Sequence, residues 1–206
     1  YDALRRKETF ATSGTRIQLR FFSGYHFAED QLGETDLIKE AYRSGTTMGA
    51  TLQAQGKRQP SFLTWAIADP NTAPLQRLPI VKGWLTNGEH QEKVYDVACS
   101  NNLQVNQETH RCPDNNARVD LGDCSTTAEV GAVELKSLWQ DPDFVPEQEA
   151  FYYARALENP VCRWSTWDAI RSGKLPRGDL PATIQERAWS SPIWYSALDD
   201  SDNFVE

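Results

Sequence analysis

Short segments that read as β-strands recur along this chain and are separated by turn-forming residues. Residues 16–22 place three apolar side chains on one face and three polar side chains on the other. Alternation at a period of two is typical of a half-buried strand. Further strand signals lie at residues 61–68, 75–85, 92–99 and 150–157. Asn87-Gly88, between the second and third of these, predicts a hairpin. Spaced strands with such turns indicate a mainly β fold, a β-sandwich with short helices and long loops.

The final strand signal, residues 186–195, contains Trp189, Pro192 and Trp194. Pro192 has no amide hydrogen to donate to a ladder, so it belongs at a sheet edge or at a bulge. A continuous strand would put Trp194 on the same face as Ala188. Helices are predicted at residues 1–8 and 35–43, a helical turn at 167–172, a strand or short helix at 133–139, and a loop at 45–56.

The charge balance restricts the partners that this chain can have. Its 206 residues carry a formal charge of −8, and the only run of basic residues is Arg5-Arg6-Lys7. An acidic chain with scattered cations is not expected to bind nucleic acid or an anionic membrane surface. No apolar stretch reaches the length needed to cross a bilayer, so we expect no membrane span.

Four cysteines, Cys99, Cys112, Cys124 and Cys162, form an even set without a CxxC pair, and the three histidines are dispersed. Zinc spacing is therefore absent. A polar loop between Cys112 and Cys124 offers little apolar material, so we expect two disulfides and a periplasmic or extracellular location. Four buried free thiols in a cytosolic protein are the alternative. Three pairings are possible and spacing does not decide among them. We favour Cys99 with Cys112 and Cys124 with Cys162, since both bridges would tie the loop to neighbouring strands.

Two polar motifs are candidate ligand sites. Asp141-Pro142-Asp143-Phe144 could hold a calcium ion, but it lacks the alternating oxygen ligands of an EF-hand loop, and a proline-initiated turn is favoured. Thr12-Ser13-Gly14-Thr15-Arg16 could meet a phosphate, but no glycine-rich loop opens a helix there, and a strand-to-strand turn is favoured. The seven tryptophans could stack on sugars, although core packing is the expected role of most of them.

Residues 2–17, which read DALRRKETFATSGTRI, resemble a junction in bacterial proteins of the polymerase-and-histidinol-phosphatase (PHP) superfamily. More narrowly, the chain resembles the C-terminal part of domain-of-unknown-function family 3604. Supporting blocks lie in family order at residues 80–84, 92–98, 141–144, 151–155, 163–166 and 186–195.

The resemblance implies three parts: residues 1–16 as the last helix of a PHP-like barrel and its junction, 17–198 as a C-terminal β-sandwich, and 199–206 as an acidic tail. Larger members resemble metal-dependent phosphoesterases whose N-terminal barrel carries an H-x-H motif. This chain contains no H-x-H. The resemblance therefore implies no cofactor in this chain, a divalent metal in the missing barrel domain, and that barrel as the partner. It puts Thr12, Ser13, Gly14 and Arg16 at the active-site edge, and it implies export.

The leading hypothesis is the non-catalytic β-rich end of a PHP-like metal-dependent hydrolase. The alternative is a free-standing secreted module that binds a glycan or a protein through exposed Trp and Tyr side chains. An autonomous hydrolase has the least support, because the chain offers neither a nucleophile–base pair nor a metal-ligand set.

Overall fold

The computed structural model describes residues 1–197, and antiparallel strands predominate in that range. The strands are β1 (Phe10–Thr12), β2 (Gln18–Gly24), β3 (Thr46–Thr47), β4 (Thr51–Gln53), β5 (Ser61–Ile67), β6 (Leu75–Thr86), β7 (Glu89–Cys99), β8 (Glu134–Gln140), β9 (Ala150–Glu158), β10 (Val161–Cys162), β11 (Thr183–Ile184), β12 (Arg187–Ser190) and β13 (Ile193–Ser196). The helices are α1 (Asp2–Arg5), α2 (Leu37–Ser44) and α3 (Trp164–Arg171), with a 3-10 helix at Glu29–Gly33.

The larger sheet is built on β9, the aromatic strand. It pairs with β6 along one edge and with β12 and then β13 along the other. The hairpin turn at Asn87-Gly88 returns β7 beside β6, and both turn residues have positive φ, as a tight hairpin requires. At the far edge, β1 pairs antiparallel with β12 and β4 pairs parallel with β13. Residues from both ends of the chain therefore complete this sheet.

The smaller sheet has the strand order β3-β2-β5-β8, and β10 and β11 form a separate ribbon. Leu19 and Phe21 of β2 enter a core that β9 and β12 also line, whereas Phe22 turns to the opposite side and packs near α2. Phe62 of the smaller sheet and Tyr152 of the larger one meet with ring centroids 4.3 Å apart. The two sheets therefore share one apolar core, whose burial stabilises the fold.

A β-bulge interrupts the final strand at Ser191-Pro192. Trp189 lies opposite Arg155 and Ile193 lies opposite Tyr152, so β9 advances three residues while the final strand advances four. One extra residue reverses the faces, because side chains alternate along a strand. Trp194 is consequently 47% exposed, whereas Ala188 is buried. The expectation that these two residues share a face is wrong, and the placement of Pro192 at a bulge is confirmed.

Other boundaries differ from the sequence predictions for local reasons. The helix predicted at residues 1–8 is shorter in the structure, where α1 spans Asp2–Arg5. Lys7 adopts a positive φ of 58°, which ends the helix. The loop at 45–56 contains β3 and β4, which pair with the edges of β2 and β13. The segment predicted as a strand or short helix at 133–139 is the strand β8 (Glu134–Gln140), and the helical turn predicted at 167–172 belongs to the longer helix α3 (Trp164–Arg171). The predicted acidic tail, residues 199–206, lies outside the described residues.

Two disulfides form, as the sequence analysis expects, and they follow the favoured pairing. Cys99 joins Cys112 with 5.6 Å between their Cα atoms, and Cys124 joins Cys162 with 5.7 Å. The first bridge ties the polar loop to the end of β7, and the second ties it to β10. Within residues 1–197, none of the helices has the length and apolar character needed to cross a membrane.

The second bridge should contribute more to stability than the first. The bridges span sequence separations of 13 and 38 residues, so loop-closure entropy favours Cys124–Cys162 by about 1 kcal/mol, within a typical range of about 2–4 kcal/mol each. Urea unfolding of C99A/C112A and C124A/C162A, compared with the parent chain, measures both costs. A larger loss from C99A/C112A would contradict the expectation.

Candidate functional site

The acidic motif at residues 141–144 forms a turn held by a buried ion pair. Asp141 Oδ2 lies 2.6 Å from Lys82 Nζ and accepts the hydroxyl of Tyr152 at 2.8 Å, while Oδ1 accepts the Asp143 amide at 2.9 Å. The Asp143 carboxylate accepts hydrogen bonds from Tyr95 and Lys93. Both carboxylates are thus engaged by protein donors, in the turn that the sequence favours. Within residues 1–197, no grouping of three or more His, Cys, Asp or Glu side chains could hold a metal ion.

The predicted turn after β1 is fastened to the start of β12. Ser13 donates its amide to the Arg187 carbonyl at 3.0 Å, and its hydroxyl accepts the Arg187 amide at 2.9 Å and donates to the Glu186 carboxylate. Gly14 has a φ of 146°, which a residue with a side chain rarely adopts. The turn is therefore a fixed part of the sheet edge.

Arg16 lies beyond the turn on the exposed side of the chain. Its backbone amide donates to Asp69 Oδ2 at 2.8 Å, and Asp69 Oδ1 accepts the Asn71 amide at 2.9 Å. These hydrogen bonds, that of Asn71 first, lower the pKa of the Asp69 carboxyl. Of the four candidate edge residues, only Gly14 lines the neighbouring pocket, whereas Thr12 lies within β1 and neither Ser13 nor Arg16 is part of the pocket lining.

A pocket of about 410 Å³ opens beside this turn. Gly14 and Thr15 form one wall, and β9 and the segment before β12 contribute Glu158 and Glu186. The start of α3 supplies Trp164, which is 74% exposed, and Trp167. The remaining lining residues are Asn71, Thr72, Val161, Cys162, Arg163 and Ile184. The volume falls within the range of small-molecule sites, about 300–1,000 Å³.

Glu158 is the most unusual group at this pocket, because its side chain is fully buried. Its Oε1 accepts the Thr72 hydroxyl at 2.8 Å, but Oε2 and the neighbouring Thr15 hydroxyl have no partner that meets hydrogen-bond geometry. Burial raises the pKa of Glu158, and the charges of Glu186 and Asp69 raise it further, while the Thr72 and Thr15 hydroxyls lower it. The Glu158 carboxyl group, which lines this pocket, is therefore shifted towards its neutral, protonated form.

The family of the chain follows from comparison with known proteins. A family described as "Protein of unknown function (DUF3604)" matches residues 1–197. The chain belongs to this family. No curated protein and no solved structure matches the chain. The DUF3604 match covers the turn at residues 12–16, the pocket beside it and the buried ion pair.

Sequence reasoning about this DUF3604 chain found the turn but missed Glu158. A signal for it exists in β9, where Tyr152, Ala154 and Ala156 occupy the buried face and Glu158 is next in that register. A carboxylate at a core position of a strand is uncommon and marks either a paired or a functional group. The other pocket residues come from distant parts of the chain, and no spacing in the sequence joins them.

Breaking the buried ion pair should destabilise the fold strongly. We expect D141N to cost about 3–5 kcal/mol, because it leaves the Lys82 ammonium buried without a counter-charge. D179N is the matched control, since Asp179 pairs with Arg177 at the surface, and its cost should stay below about 1 kcal/mol. Equal costs in urea unfolding would contradict the expectation. The double variant K82M/D141N should lose less than the two single variants together.

The effect of E158Q on stability should depend on pH. The folded chain raises the pKa of Glu158 above its ordinary value of 4.5, so it binds this proton more tightly than the unfolded chain does. Stability is consequently lost as the pH rises through the ordinary value towards the folded value. E158Q removes that loss, so the stability of the variant relative to the parent should rise as the pH increases above 4.5. Urea unfolding at a series of pH values from below 4.5 upwards measures the gain, with E108Q, at an exposed position, as the matched control.

Proposed function

We propose that this chain is the β-rich C-terminal part of an exported, PHP-like metal-dependent hydrolase, a β-sandwich that packs against the catalytic barrel and shapes its entrance. One observation carries the proposal. Tyr1, Leu4 and Phe10 are 88%, 70% and 43% exposed, and α1 has no buried residue. Within the described residues, Tyr1 and Leu4 are thus largely uncovered and Phe10 is partly uncovered.

The short length of α1 supports the proposal that the helix continues into a partner domain. A helix of four residues is too short to be stable in water on its own, since isolated helices below roughly 12–15 residues are marginal. Full burial of a side chain such as Leu4 is worth about 1.5–3 kcal/mol. Continuation of α1 into a barrel, with burial of Tyr1 and Leu4 against it, would supply both the length and the apolar contact.

The chain immediately after α1 is fixed in place. The Glu8 carboxylate accepts the Tyr42 hydroxyl at 2.5 Å and the Thr47 hydroxyl at 3.3 Å. A Cβ atom on Gly49 would lie 2.2 Å from the Lys7 carbonyl oxygen, so only glycine allows this approach. A docked barrel would therefore have a defined orientation, and the turn at residues 12–16 would lie near the junction.

In this arrangement the barrel supplies the metal ligands and the activated water. The β-rich chain forms one wall of the entrance to the barrel. In that wall, the pocket near Gly14 and Thr15 would contact the part of the substrate that does not react. Contacts of that kind position a substrate without taking part in bond cleavage. The free-standing binding module remains the second candidate, favoured by the exposure of Trp164 and Trp194 at 74% and 47%.

We expect the gene to encode an H-x-H barrel in frame before Tyr1, and the test uses that longer protein. It should hydrolyse bis(p-nitrophenyl) phosphate, lose activity with a chelator and regain it with added divalent metal, whereas the 206-residue chain alone should show neither turnover nor stoichiometric metal binding. L4D should reduce the activity of the longer protein without changing the stability of the isolated chain. The control L175D, at a side chain that is 93% exposed, should have no effect. Chelator-sensitive turnover by the isolated chain, or equal effects of L4D and L175D, would overturn the proposal.

A further inference from the structure

A second cavity, also of about 410 Å³, lies at the other end of the larger sheet, where the β6–β7 hairpin, β9 and β13 meet. Its apolar lining includes Leu85, Phe151 and Trp194. Leu85 is 64% exposed and Trp194 is 47% exposed. We call this cavity the aromatic groove.

The floor of the aromatic groove is built by a glycine. Gly83 of β6 lies directly opposite Phe151 of β9, and a Cβ atom on Gly83 would lie 2.2 Å from the Phe151 ring. The ring therefore lies over the glycine. On its other side, Phe151 is paired with Trp194, whose ring centroid is 5.3 Å away at an interplanar angle of 55°. The result is a two-ring platform that spans three strands.

The rim of the groove consists of hydrogen-bonding side chains. Glu92 and Glu149 are acceptors, and Gln91 and His90 complete the polar lining. None of the described lining residues is Lys or Arg. Carboxylates at the rim repel phosphate and carboxylate ligands and favour ligands that present hydroxyl donors.

The arrangement of the Phe151 and Trp194 rings indicates which kind of ligand the groove can bind. An aromatic cage for a quaternary ammonium group needs rings that surround the cation, but Phe151 and Trp194 touch each other and present a surface instead. A protein partner of standard size would cover about 800 Å², whereas this groove has the volume of a small-molecule site.

We propose that the aromatic groove binds a neutral saccharide. The apolar face of a pyranose ring would lie on the platform of Phe151 and Trp194, and hydroxyl groups of the sugar would donate to Glu92 and Glu149. This proposal is independent of the hydrolase proposal, because the groove involves neither α1 nor the turn at residues 12–16.

The test is affinity electrophoresis of the purified chain through gels containing xylan, mixed-linkage β-glucan, galactomannan or dextran. We expect retardation by at least one of these polysaccharides. W194A should weaken it by about tenfold or more, since loss of an aromatic stacking surface costs roughly 1.4 kcal/mol. W194F should retain part of the binding. L175A is the control, because Leu175 is 93% exposed and lies outside the groove, and it should bind as the parent does.

A second variant, E92Q/E149Q, tests the proposal independently in case W194A does not fold. E92Q/E149Q keeps the platform and changes only rim acceptors, and it should also weaken retardation while leaving the circular dichroism spectrum unchanged. Migration of the parent chain that is the same with and without every polysaccharide would overturn the proposal. Equal losses in W194A and L175A would also overturn it. So would a dimer in sedimentation that W194A abolishes, because the groove would then be a self-association surface.

Discussion

The buried pair of Lys82 and Asp141 is the constraint on which the arrangement of the two sheets depends. Lys82 lies in β6 of the larger sheet, Asp141 follows β8 of the smaller one, and Tyr152 of β9 donates to the same carboxylate. Two desolvated charges are tolerated only when they remain together with their hydrogen bonds complete. A slip of β6 by one residue would turn Lys82 to the outer face and leave Asp141 alone in the core. The pair therefore specifies register as much as it contributes stability.

Features that depend on neighbours in sequence were predictable. The alternation in β2, the Asn87-Gly88 hairpin and the aromatic strand β9 all carry local signals, and each appears in the structure. The bulge at Ser191-Pro192 was only partly predictable, because proline indicates an irregularity but not which way the following side chains point. The short strands β3 and β4 were missed, since their pairing depends on edges offered by distant strands. Glu158 was missed for a related reason: its importance comes from burial against Thr15 and Thr72.

Two of the pockets beside the larger sheet differ in chemistry. The one beside Gly14 and Thr15 combines a buried carboxyl group with indole side chains and adjoins the N-terminal junction. The aromatic groove lies at the opposite end of β9 and presents two tilted rings with an acidic rim. Because β9 contributes Glu158 to the first and Phe151 to the second, one rigid strand fixes the separation of the two surfaces. A ligand held in the groove would thus be placed at a constant distance from the junction.

The bulge in the final strand affects how this chain folds while it is being synthesised. By adding one residue, it lets the strand pair antiparallel with β1 in its first half and parallel with β4 in its second half. Neither β1 nor β4 has a sheet to join until residues 187–196 have left the ribosome. Until then, the long edge of β9 is open and able to pair with other chains. The nascent protein therefore depends on residues 187–196 to pair with segments that were synthesised much earlier, and a chaperone or rapid release would protect it in the interval.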